Sequence, residues 1–68
     1  MIVIVNEKQI EVDEQTTVAA LLQSLGYLDR GIAVAVDQTV LPRSAWATKL
    51  SALCAPVQLE VVTAVQGG

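Results

Sequence analysis

The chain has no histidine and no phenylalanine, and only one cysteine, two prolines and four glycines in 68 residues. Without histidine it lacks the commonest general base and metal ligand, and Ser-His or Cys-His nucleophile pairs are ruled out. The lone thiol, Cys54, cannot close an internal disulfide, and nothing has the spacing of a structural metal site. A single thiol without a signal-peptide pattern sets the expectation of a reducing, cytoplasmic setting. Gly26 and Gly31 stand alone among apolar residues, so no glycine-rich loop is present to cradle a phosphate. The only aromatics are Tyr27 and Trp46, and four Lys/Arg against seven Asp/Glu give a net charge of −3. Neither a basic stripe nor a stacking platform is available, which argues against nucleic acid as a partner. Apolar runs such as Met1–Val5 and Ile32–Val36 fall far short of the ~20 residues that a membrane-spanning helix needs, so no membrane partner is expected.

What the chain does have is apolar content, 53% of its residues. A domain of this size buries only about 60% of the surface its unfolded chain exposes, and this composition supports a core without staples. The stretch Ile2–Val5 is a β-branched run, Asn6-Glu7-Lys8 supplies turn residues, and Ile10 and Val12 alternate with Gln9 and Glu11, which predicts a hairpin. The period then changes. Val18, Leu21, Leu22 and Leu25 form one stripe of a helix, with Thr16 or Thr17 as its cap and Gly26 just past its last turn. Ile32–Val36 predicts a third strand, with Ile32, Val34 and Val36 on one face and Ala33 and Ala35 on the other. Asp37-Gln38 turns the chain into a short strand, Thr39-Val40-Leu41, which Pro42 ends. Ser44 is a candidate cap for a helical turn carrying Trp46, residues 49–56 read as an irregular connector, and the last strand runs from Gln58 to about Val65.

One long helix against a larger sheet predicts an α+β domain, with the helix on one face of a mixed sheet of four to five strands. The first and last strands are apolar on both faces, as central strands are, but the helix covers only one face. The other, including Val62 and Ala64, is expected to keep an exposed apolar patch of the kind that docks partners. The domain is expected to span residues 1–65, with 66–68 as a flexible tail.

That tail reads Gln66-Gly67-Gly68. Two adjacent glycines at a fixed place arise by chance about 0.5% of the time at the usual glycine frequency of about 7%, so fraying alone is a weak account of them. The stronger reading makes the Gly68 carboxylate the reactive group, delivered into a narrow site by residues without a Cβ. Cys54 has no neighbouring histidine or basic residue to lower its pKa and reads as a packed thiol rather than a sulfur relay. Trp46 reads as closing the edge of the core, with an interface role as the alternative. Arg43 fits either a surface charge or a partner contact.

The segment Val34–Trp46, with its Leu41-Pro42-Arg43 and Trp46, together with the ending from Val61 to Gly68, resembles the small ubiquitin-like sulfur carriers of the ThiS type. The similarity covers essentially the whole chain. It departs from that pattern before the last strand, where many relatives have a Gly-Asp turn and this chain has Cys54-Ala55-Pro56. The resemblance implies a β-grasp fold and a role as protein co-substrate rather than enzyme. In that role a ThiF-type adenylating enzyme uses ATP to activate Gly68, a sulfur donor system converts it to a thiocarboxylate, and thiazole synthase takes the sulfur for thiamin. No cofactor is bound permanently and no metal is required. Gly67, Gln66, Val62 and Ala64 would be the partner-binding positions. Two alternatives stay open: a related carrier serving molybdopterin synthase, tRNA thiolation or cysteine synthesis, and a β-grasp module that only binds partners.

Overall fold

The computed structural model describes residues 1–27, 31–53 and 56–63. Five strands, β1 (Ile2–Val5), β2 (Lys8–Glu11), β3 (Ile32–Val36), β4 (Thr39–Leu41) and β5 (Gln58–Thr63), form one sheet in the order β2-β1-β5-β3-β4. One helix, α1 (Val18–Ser24), packs across one face. This is the arrangement of a ubiquitin-like β-grasp, and it matches the expected α+β class.

Each hairpin turns in two residues, with Val5 opposite Lys8 and Val36 opposite Thr39. Lys8 therefore belongs to β2 and not, as the composition of the turn led one to expect, to the loop. Asn6 and Glu7 have φ of 49° and 71°, and Asp37 and Gln38 have 53° and 68°. Both central residues of each turn are left-handed, the twist that two-residue hairpins require, here without glycine.

β5 joins the two hairpins. It runs parallel to β1, with Val5 opposite Leu59, and antiparallel to β3, with Val34 opposite Val61. The Ile4 amide donates to the Val57 carbonyl at 2.9 Å and the Asn6 amide to the Leu59 carbonyl at 3.0 Å. Strands β1 and β5 are thus interior, as their two-sided apolar pattern predicted.

Seven residues make a short helix, stabilised by what surrounds it more than by its own propensity. The Thr17 hydroxyl accepts from the Ala20 amide at 3.1 Å, which selects Thr17 from the two candidate caps. The next free amides, Val18 and Ala19, donate to the carbonyls of Thr48 and Trp46, and the Leu50 amide returns a bond to Thr16. At the other end Gly26 (φ +88°) donates to Gln23 and Tyr27 to Leu22, a Schellman closure that needs a left-handed residue at Gly26. Leu25 occupies the cap position and is 39% exposed, so the buried stripe is Val18, Leu21 and Leu22. The fourth member of the expected stripe fell just past the last helical turn.

The helical turn expected before Trp46 is present, and the stretch from Lys49 that read as irregular holds a turn of its own. The two are 3-10 turns, Arg43–Ala45 and Leu50–Ala52. Pro42, with extended backbone, sits at the cap of the first, so Ser44 lies inside the turn and caps nothing. Trp46 closes the core edge: its ring is buried and its Nε1 donates to the Leu41 carbonyl at 3.3 Å. The Arg43 guanidinium lies 5.1 Å from the centre of that ring, which accounts for Arg43 locally as a cation–π cover. Leu50 is fully buried with Val3, Val18, Leu21, Val34 and Leu59. Leu50→Ala is expected to lower stability by about 2–5 kcal/mol. Leu25→Ala should cost under about 1 kcal/mol, since the side chain is partly in water already. Urea unfolding of the two variants checks the contrast.

Candidate functional site: the open sheet face and the strand leading to the tail

Alternation along β5 divides its side chains between two environments. Leu59 and Val61 are buried under α1, whereas Gln58, Glu60 and Val62 are exposed on the face that no helix covers. Val62 is 59% exposed and lies opposite Ala33, while Ala35, two residues along β3, lies opposite Val40, which is 68% exposed. Valine at the margins and alanine between them make a low apolar strip across β5, β3 and β4. Ile2 is also well exposed, on β1. The expected apolar patch is therefore present, and Val62 stands in it. Such a strip on a small domain is a surface suited to docking.

Polar groups border the strip toward the two hairpin turns. Glu7, Asp37 and Glu60, with Gln38 and Gln58, line an open cleft of about 360 Å³. Ile4, Asn6, Ala35 and Leu59 complete its lining. The cleft thus combines carboxylates with aliphatic carbon.

The sequence treated Asn6 only as a turn residue. In the fold its Oδ1 accepts from the Val61 amide at 2.8 Å, and its Nδ2 donates to the Val61 carbonyl and to the Tyr27 hydroxyl, both at 3.3 Å. The Asn6 backbone has already turned left-handed, and its side chain supplies the next rung of the β1–β5 ladder. No pattern in the sequence reveals this, because asparagine at the first position of a two-residue turn is ordinary.

Among the described residues no polar or charged side chain is buried, and no three His, Cys, Asp or Glu residues converge as metal ligands. No helix among them is long and apolar enough to cross a membrane. The remaining candidates, Ala64, Gln66, Gly67 and Gly68, lie outside the described residues, as does Cys54. Thr63, the last described residue, is paired with Ile32 of β3, so the strand holds its register to the point where those candidates begin.

Compared with known families, residues 2–68 match the ThiS family. The chain belongs to the ThiS family. No curated protein was matched. The match includes the terminal glycines as well as the sheet, and it makes the chain a small sulfur carrier of a family that works with an adenylating enzyme and sulfur-transfer partners.

The face assignment has a direct check. Val62→Asp should cost no more than about 1 kcal/mol, the span of strand propensities at an exposed site. Val61→Asp, which would bury an unpaired carboxylate, should cost at least about 3 kcal/mol. Thermal melts in which the Val62 variant unfolds and the Val61 variant does not would reverse the two faces.

Proposed function

We propose that this chain carries sulfur as a thiocarboxylate on Gly68 and delivers it for thiazole formation in thiamin biosynthesis. The observation that carries the reading is the family match running through the final glycines, Gly67 and Gly68. A carboxylate is a poor acyl electrophile at neutral pH. In the proposed cycle an oxygen of the Gly68 carboxylate attacks the α-phosphorus of ATP held by the adenylating partner. A mixed anhydride forms and pyrophosphate leaves. A sulfide-level nucleophile from the donor system then attacks the acyl carbon, AMP leaves, and the carbonyl keeps sulfur in place of one oxygen. On thiazole synthase the thiocarboxylate sulfur bonds to the acceptor substrate, water attacks the acyl carbon and displaces that sulfur, and the carboxylate returns. ATP belongs to the partner's site and no cofactor resides on the carrier.

The division of labour follows from dimensions. Five residues, Ala64 to Gly68, follow Thr63. Extended, they reach about 17 Å at roughly 3.4 Å per residue. In this cycle the apolar strip that holds Val62 docks on the partner's surface, Ala64 is a further contact position, and Gln66, Gly67 and Gly68 enter a narrow channel to the nucleotide. Glycine suits the channel because a Cβ is absent and the backbone can pass close to the walls. The carboxylates of the neighbouring cleft suit a basic border on the partner.

Intact-mass analysis after incubation with ATP, the cognate adenylating enzyme and sulfide should show one oxygen replaced by sulfur at the terminus. An unmodified mass with every candidate partner would sink the carrier chemistry. Gly67→Val should leave stability within about 0.5 kcal/mol, as at other surface sites. ATP–pyrophosphate exchange should nevertheless fall on the order of a hundredfold, because the reacting carboxylate is displaced. A Gly67→Val chain adenylated at the wild-type rate would return the glycines to a frayed end. Transfer to thiazole synthase, compared with transfer to molybdopterin synthase and tRNA-thiolating systems, assigns the acceptor.

A further inference from the structure

We infer that Asn6 is a positioning residue for the reactive terminus: its side-chain amide fixes β5 at Val61 and so sets the point and direction from which the chain continues past Thr63. This rests on the carrier reading above. Past Leu59, β5 is paired in two unequal ways. On the β3 side its register continues through Val62 to Thr63. On the β1 side the backbone ladder stops, because β1 ends at Val5 and Asn6 turns away with φ 49°.

The Asn6 amide takes the place of the missing rung, accepting from the Val61 N–H at 2.8 Å and donating to the Val61 C=O at 3.3 Å. Both backbone groups of one residue are thus held by a single side chain. The remaining Nδ2 hydrogen goes to the Tyr27 hydroxyl at 3.3 Å. Tyr27 is itself fixed by the Schellman closure of α1, where its amide donates to Leu22 at 3.0 Å. The planar amide therefore has its orientation determined from two sides, and it couples the end of the helix to the end of the tail-bearing strand. Without it, Val61 to Thr63 would be hydrogen-bonded along the β3 edge alone. A strand pivoting on one edge sweeps its continuation through an arc, and displacement of a reacting group by about 1 Å can cost on the order of a hundredfold in rate.

Asn6→Gly tests this in the full-length chain, because glycine keeps the left-handed turn and deletes only the amide. Two measurements are made: hydrogen exchange at the Val61 amide, and steady-state ATP–pyrophosphate exchange with the cognate adenylating enzyme. Thr17→Ala, which removes the cap at the opposite end of α1, controls for lost stability. The expected result for Asn6→Gly is faster exchange at Val61 and a kcat lowered by about tenfold or more, with KM within about twofold because the docking face is intact. Thr17→Ala should keep the wild-type kcat. An unchanged kcat in Asn6→Gly, a rise in KM alone, or an equal loss of kcat in Thr17→Ala would overturn the positioning role. An unreactive wild-type chain would instead sink the carrier reading itself.

Discussion

The structure depends on the insertion of β5 between two hairpins that otherwise do not touch through their backbones. β1 and β2 form one pair, β3 and β4 the other, and β5 binds both, parallel on one side and antiparallel on the other. Its pleat places Leu59 and Val61 beneath α1 and sends Glu60 and Val62 to the open face. Core closure and surface display are therefore properties of the same six residues. A one-residue slip in β5 would exchange the two sets of side chains, and the burial of Leu59 and Val61 is what opposes it.

The helix side is completed by a segment that does not look structural. The carbonyls of Trp46 and Thr48 receive the first amides of α1, and Leu50 fills the core beneath it. A helix with seven residues has few internal bonds, and its terminal groups must find partners elsewhere. The 3-10 turns of the connector provide them. Trp46 and Arg43 then cover the edge where the connector leaves β4. The domain thus uses its least regular stretch to satisfy the first turn of α1.

A carrier of this family needs little chemistry of its own. The described residues bury no polar side chain, and their charged side chains are exposed. What the fold contributes is a firm base with an open face, and a strand aimed at the segment that follows Thr63. The side-chain rung from Asn6 to Val61 belongs to that contribution, since it stiffens the strand on the side where β1 has run out. Left-handed Glu7 and Gln38 show that the turns hold their geometry even without glycine, at a cost of about 1–2 kcal/mol for each non-glycine residue so placed.

Local pattern by itself determined the two hairpins, the helix stripe and the alternation of β5, because periods of two and 3.6 residues leave their mark on neighbouring positions. It also determined that Val62 faces away from Leu59 and Val61, and it marked Gly67-Gly68 as the unusual ending. The identity of the helix cap, the exposure of Leu25 and the turn after Lys49 were not legible. Each depends on which groups lie nearby in space, and the partners can be far apart in sequence, as the Leu50 amide and the Thr16 carbonyl illustrate. The Asn6–Val61 rung is the extreme case, with 55 positions between its ends. Only the parallel docking of β5 against β1 brings that amide to that strand, since hydrogen bonding is short-ranged and sequence pattern reports only neighbours.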